Sequence, residues 1–512
     1  MLVIEMKTMY FNGNIITMTD ANVEAFVVED GKILSMGSKE DCISEDMECI
    51  DLQGRTLMPS FLDGHSHFSG VAMSFLQVDL SKCTCVKDVL DAIRMYIQEN
   101  PEKEFITGQG YDHLSLKEKR HVTRQELDGV CAEKSIVLQH QSGHNGVLNT
   151  KALAYLKIDE NTKVEGGRID FENGFLEENA FIENVKKFPM ADLKDLKQAF
   201  KKAQEYYASF GITTIQEGMM VDELYDIYQM LIHEDVLYLD VIGYAGFEAK
   251  KFIADMDAYT DDQHHFRIGG YKMFLDGSPQ NKTAWTINPY TDGSHGYPTM
   301  NDEQIENCLK QAIQQNKQIL AHCNGDMASR HYIDVYRKCK KQDIRPVIIH
   351  AQMLRNDQIQ EAKELSMIAS FFAAHVHYFG DIHRQNMGEE RAKGISPLHS
   401  ALNAGLAFTL HQDSPVLPPN VLETIDIAMH RVTKSGFELG KEECISSLDA
   451  LKAVTINTAY QYHEEKIKGT LEVGKLADLV ILDQDPRIFD CSKIQVLATI
   501  KEGKVIYKKS TI

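Results

Sequence analysis

Two histidines separated by one residue, His65 and His67 in LDGHSHF, follow a short apolar run. Residues two apart on an extended strand point to the same face, so both imidazoles can serve one metal ion. Alone the pair says little, because the chain holds 20 histidines. Three further ligand-type residues each close a different apolar run: His322 in ILAHCNGD, His350 in VIIHAQ and Asp413 in FTLHQDSP. Imidazoles with a carboxylate suit a divalent cation, zinc first, with iron, manganese or nickel behind it. Lys272, in GGYKMFLDG, sits in so apolar a run that its charge has to be accounted for. It is either half of a buried ion pair or an amine whose pKa burial lowers until it reacts with carbon dioxide, giving a carbamate that bridges two metals.

These side chains need a scaffold that brings distant segments to one place. Eight β-type runs, TLMPSFLDGHSH, GITTIQEG, VLYLDVIGY, FRIGGYKMFLDG, KQILAHCNGD, RPVIIHAQ, SMIASFFAAH and LAFTLHQDSP, alternate with helical patterns. That alternation predicts an α/β fold, a (β/α)8 barrel of the TIM type, whose active site gathers at the C-terminal ends of the strands. Several of the runs end on a ligand-type residue, as such a site requires. Short β-type runs with turn signals recur at both chain ends, MYFNGNIITM and AFVVEDGKILSMG, then GTLEVGKLADLVILDQDP and VLATIKEGKVIYKK. We expect residues 1–58 and 466–512 to pair into a small β-sandwich, leaving 59–465 for the barrel. The stretch from about 105 to 190 is too long for one crossover and reads as an inserted subdomain, a lid and substrate platform over the barrel mouth.

Composition narrows the function. A chain of 512 residues with 43% hydrophobic and 25% charged residues has room for a barrel and an accessory domain, with no disordered or low-complexity tract. The formal charge of −21, with no dense Lys/Arg block, argues against nucleic acid and anionic membrane surfaces as partners. The opening MLVIEMKTMYFNGNIITMTD has neither a signal peptide's pattern nor a membrane span's, so cytoplasm is the expected location. The 10 cysteines are scattered, with Cys83 and Cys85 as the one close pair, and read as reduced thiols.

The combined pattern, HxH after strand one, Lys on strand four, His on strands five and six and Asp after strand eight, resembles the binuclear amidohydrolase superfamily. PSFLDGHSHF, GYKMFLDGSPQNKTAW with NPYTDG, ISPLHSALNAGLAFTLHQDSPV, AVTINTAY and GTLEVGKLADLVILDQDP resemble more narrowly its YtcJ-like branch, which is similar to N-substituted formamide deformylase. The likeness covers nearly the whole chain. It implies metal binding, by one or two ions, through His65, His67, Lys272 as a carbamate, His322, His350 and Asp413. It also implies that an activated water attacks a small-molecule amide or N-formyl bond while Asp413 carries the proton to the departing amine.

In the insertion, GQGYD, VTRQELD, QSGHNGVLN and GGRIDFENG also resemble the family, and His144 and Asn149 are the candidate substrate contacts there. Asp276 and Ser278, beside Lys272, are candidate pocket residues, each equally readable as a turn or cap. A second HxH, His375-Val376-His377, is expected to end the seventh strand and to line the pocket. The chain departs from the family at Ser142, Tyr111 and Gln412, where relatives often have Asp, Trp and Ser, which puts substrate identity in doubt more than chemistry. Two other functions stay open: a deaminase or cyclic amidase using the same site, and a barrel that has lost catalysis and only binds. The sequence admits a homodimer without requiring one.

Overall fold

The computed structural model describes residues 7–44, 46–140, 144–189, 191–259 and 263–510, so Ser142 lies outside the described residues. Eight parallel strands form one sheet in sequential order: β1 (Phe61–Leu62), β2 (Ile212–Met220), β3 (Asp240–Gly246), β4 (Phe266–Phe274), β5 (Gln318–Cys323), β6 (Val347–His350), β7 (Ile368–Phe371) and β8 (Phe408–Leu410). Every residue of β3, β6, β7 and β8 is buried, the pattern of parallel strands covered on both faces. The segments after β8 and β1 meet: the Asp413 amide donates to His65 O at 3.2 Å and the His67 amide to Ser414 O at 2.7 Å. The sheet therefore curls back toward its first strand in the TIM manner.

The covering helices follow from local sequence. In the helix Asp302–Gln314, Asn301 and Gln304 cap each other's backbone amides at 2.9 Å, and Ile305, Cys308, Leu309, Ala312 and Ile313 form the buried stripe. One expectation needs correction. His375-Val376-His377 does not end β7, which stops at Phe371, but opens the helix His375–Met387. Neighbours two apart on a helix point to different sides, and of the two only His375 is buried, 3.2 Å from His383 two helical turns further on, whereas half-buried His377 bonds Val432 O at 2.8 Å.

Strands from both chain ends form two further sheets. One holds Lys7–Phe11, Ala25–Glu29, Lys32–Gly37 and Met47–Asp51. The other pairs Thr56–Pro59 antiparallel with Leu479–Leu482 and continues through Val496–Lys501 and Lys504–Lys508. Tyr10, Phe26 and Val28 of the first sheet share one apolar cluster with Leu57, Leu479 and Ile500 of the second. The C-terminal segment is also pinned to the barrel by buried charge. Asp240, at the start of β3, receives Lys468, Lys501 at 3.0 Å and His265 at 2.8 Å, while Glu464 receives Arg267 at 2.8 Å.

Residues 70–202 form a compact unit of their own, wider than the expected 105–190. The extra length belongs to its sheet: Val78–Asp79 pairs with Phe105–Tyr111, and Val86, Val89 and Ile93 of the helix Val86–Glu99 join the apolar cluster of Ile106, Ile136 and Leu138. The six strands run in the order Gly167–Asp170, Phe175–Glu178, Asn145–Leu148, Ser135–His140, Phe105–Tyr111, Val78–Asp79. Along Ser135–His140 the side chains alternate between two cores, Ile136 and Leu138 in one, Val137 in the other.

Candidate metal centre

The six ligand candidates of the barrel come from five strand ends and gather at one place. His65 Nε2 and His67 Nε2 each lie 3.6 Å from Asp413 Oδ1. Lys272 Nζ lies 3.1 Å from His65 Nε2, and His350 Nε2 lies 3.1 Å from His322 Nδ1. The His65 and His350 rings are 5.5 Å apart, which joins the two groups. His350 and Asp413 hold positive φ, 73° and 56°, a costly conformation for residues with a Cβ and one that clusters at functional sites.

Hydrogen bonds hold the His65, His322 and His350 rings in place and, for His65, select the tautomer. Gln216, in the middle of β2, donates its amide to Gly64 O at 3.2 Å and to Tyr462 Oη at 2.9 Å, so its Oε1 accepts from His65 Nδ1. The Nε2 lone pair of His65 is then left facing Asp413. His322 Nε2 lies 3.1 Å from Gly277 O and 3.0 Å from the Asn324 side-chain amide, with Nδ1 on the side facing His350. His350 Nδ1 meets His411 Nε2 at 3.1 Å, and His411 Nδ1 meets Ser370 Oγ at 2.8 Å. Thr409 Oγ1 is placed to donate to Ser370 Oγ at 2.9 Å and to Gln461 Oε1 at 2.8 Å, so a continuous polar chain backs His350. Gly218 makes room for this packing, since a Cβ there would sit 2.5 Å from His65 Cε1.

Burial sets the charge states. Loss of solvent, reinforced by the ammonium of Lys272, holds the His65 and His350 imidazoles well below their ordinary pKa, His67 at about 4 and His322 at about 3. The same desolvation lowers Lys272 and raises Asp413, each opposed to the other's shift by mutual attraction. The result is a set of neutral nitrogen donors around a carboxylate. Asp413 Oδ1 is buried with no hydrogen-bond partner among the described residues. His65, His67 and Asp413 offer ligand atoms all within 4.8 Å of one another, the spread expected around one ion with bonds of about 2.1 Å. The donor set and the orphaned oxygen both fit a divalent cation.

Other sequence candidates fall elsewhere. Asn149 does not present its side chain to a substrate: it caps the helix Thr150–Tyr155, accepting from Ile136 N and Ala152 N and donating to Cys131 O and Lys134 O. Asp276 is likewise spent on backbone, accepting from Trp285, Asn324 and Gly325 amides at 2.7–3.0 Å, which ties down the residues after His322. Ser278 belongs to a turn closed by Thr283, and His144 is exposed at 3.1 Å from Glu178 within the inserted unit. Sequence reasoning missed His411, Gln216 and Glu217. His411 was visible as HxD with Asp413, the same spacing that singled out His65 and His67. Gln216 and Glu217 were polar residues in an apolar strand, and Glu217 is fully buried, accepts from the Ser69 amide and Tyr228, and is raised to about 7 by burial.

Fold and site together define a hydrolase scaffold with a metal-binding centre. The chain belongs to the amidohydrolase family, whose sequence profile matches residues 48–507. It is 24% identical to the Bacillus subtilis (strain 168) protein YtcJ, over 99% of this chain and 100% of that one. It is 23% identical to N-substituted formamide deformylase of Arthrobacter pascens, over 98% of each. The crystal structure of an uncharacterized metal-dependent hydrolase from Pyrococcus furiosus superposes with a TM-score of 0.78 at 25% identity, covering 94% of this chain and 99% of that one. No helix among the described residues is long and apolar enough to cross a membrane.

Proposed function

We propose that this hydrolase cleaves a non-peptide C–N bond, an amide or an N-formyl or N-acyl amine, in a small molecule. The observation that carries the reading is the convergence of His65, His67 and Asp413 within ligand distance of one another, with His322, His350 and Lys272 alongside. These six residues would hold the metal, for which zinc best suits the imidazoles, with Lys272 as a carbamate if two ions bind. A bound divalent cation supplies Lewis-acid polarisation of the scissile carbonyl and makes a water more acidic. Asp413 would take the water's proton and return it to the departing amine. Gln216 holds His65 in the tautomer that leaves its Nε2 lone pair free, and His411 backs the His350 ring.

The finer architecture belongs to the same proposal: a β-sandwich from the two chain ends and an inserted subdomain, with Ser278 and His375 of the barrel segment contributing to substrate selection. Similarity to the formamide deformylase favours N-formyl amines as the first compounds to try. The test strips metal from the protein with a chelator and follows a panel of N-acyl and N-formyl amines. Turnover should vanish and return with zinc, releasing an acid and an amine in equal amounts. Unchanged turnover without metal refutes the reading, and ammonia as the sole nitrogen product replaces it with deamination.

A further inference from the structure

The inserted unit carries a second group of ligand-type side chains that no step above uses. Its strands Phe105–Tyr111 and Ser135–His140 run parallel and adjacent, with Tyr111 opposite His140. Both strands end on ligand residues: Asp112 and His113 follow the first, and His140 is the last residue of the second. The ladder shifts register between Gln139 and His140, which offsets the histidine from the regular pairing.

The three side chains close a triangle. His113 Nδ1 lies 3.2 Å from His140 Nε2, His140 Nε2 lies 3.4 Å from Asp112 Oδ1, and Asp112 Oδ1 lies 3.8 Å from His113 Nδ1. Ligands about 2.1 Å from a tetrahedral ion stand about 3.4 Å apart, so the triangle matches one face of such a site. Two ring nitrogens at 3.2 Å cannot both carry protons, and at least one lone pair therefore faces the shared space. The surroundings fix the geometry. Ser115 Oγ donates to Asp112 Oδ2 at 2.7 Å and the Leu114 amide to Oδ1 at 2.9 Å. The His121 ring stacks on His113 with centroids 4.0 Å apart and meets Tyr111 Oη through its own Nδ1 at 2.9 Å. His140 is buried, and loss of solvent keeps its imidazole below the ordinary pKa.

We propose that Asp112, His113 and His140 form a second divalent transition-metal site, built wholly from residues of the inserted unit. Two imidazoles and one carboxylate favour zinc, cobalt or nickel over magnesium or calcium. The ion would join the ends of two neighbouring strands beyond their ladder and their shared apolar cluster.

The test counts zinc. Full-length protein is stripped with a chelator, equilibrated with zinc, freed of excess and assayed for metal per chain. A His113→Ala/His140→Ala chain should bind one equivalent less than the unsubstituted protein. A His65→Ala/His67→Ala chain should keep that equivalent, and cobalt placed there should give tetrahedral visible absorption. Because the alanine pair could unfold the unit, Asp112→Asn serves as the second variant: it keeps size and the Leu114 contact but loses the anionic ligand, and should weaken zinc at this site by at least tenfold. Zinc content and affinity in Asp112→Asn equal to the unsubstituted chain would overturn the site and leave a hydrogen-bonded His–His–Asp cluster.

Discussion

Replacing Gln216 by Leu isolates the claim that the far side of each imidazole is set by the fold. The side chain is fully buried and makes three polar contacts: to His65 Nδ1, Gly64 O and Tyr462 Oη. Two of those partners keep other bonds in the variant. Gly64 O still accepts from Gln461 Nε2 at 2.8 Å, and Tyr462 Oη still donates to Asp63 O. Only the Nδ1–H of His65 is orphaned. One buried unsatisfied donor costs about 1–3 kcal/mol, and Leu fits the space closely enough to add little strain. The ring's easiest escape is to move its proton to Nε2, the atom that faces Asp413 and Lys272, and that change removes a ligand lone pair. Loss of such a partner typically lowers metal affinity or activity about 10- to 100-fold. Zinc competition with a chromogenic chelator measures affinity, and kcat/KM and thermal unfolding are read on the same samples. Zinc affinity and kcat/KM within twofold of the unsubstituted protein would refute the reasoning.

Asp413→Asn should lower kcat by about 10²- to 10⁴-fold, with no recovery in excess zinc, because the amide cannot take a proton; full activity on addition of zinc would remove Asp413 from proton transfer. Gly218→Ala places a Cβ 2.5 Å from His65 Cε1 and 2.8 Å from Ser66 O, so unfolding should show a loss of about 1–3 kcal/mol together with weaker zinc binding. Asp240→Asn removes the shared partner of Lys468 and Lys501, which keep Glu464 and Asp478, and chemical denaturation at pH 7 should show a loss of about 1–3 kcal/mol. Its pH dependence has a definite sign. Those lysines hold the folded carboxyl of Asp240 well below its ordinary pKa despite burial, so its contribution is complete above about pH 4 and fades as pH falls through the depressed value. His265 is raised by its hydrogen bond to Asp240, so its contribution is complete below about pH 6.5 and is lost as pH rises through the folded value. The stability difference between protein and variant should therefore be largest in mildly acidic solution and shrink toward both sides.

The barrel was legible because all its strands show an apolar run and several add a ligand-type residue at or near the end. Lys272 and His322 could be placed on the fourth and fifth strands in this way, and the structure puts them there. The second HxH failed for a related reason: FFAAHVHYF is apolar enough to read as strand, yet the chain turns at Phe372 and His375 opens a helix. Asn149 shows the limit of motif reading, since a capping side chain and a substrate-binding one look alike until its partners are known. His411 and Gln216 act only through neighbours contributed by β1, β6 and β7 or by the C-terminal helices. No local pattern encodes such pairings, although the HxD spacing was on view. The wider insertion escaped because Val78–Asp79 is two residues long, too short for any periodicity.

The central claim is that a divalent cation sits among the barrel imidazoles and Asp413. It is tested most directly by crystals of the zinc-loaded, active protein measured on either side of the zinc absorption edge. The account predicts an anomalous peak bonded to His65, His67 and Asp413 at about 2.0–2.2 Å. An active crystal with no such peak within reach of those side chains would contradict it.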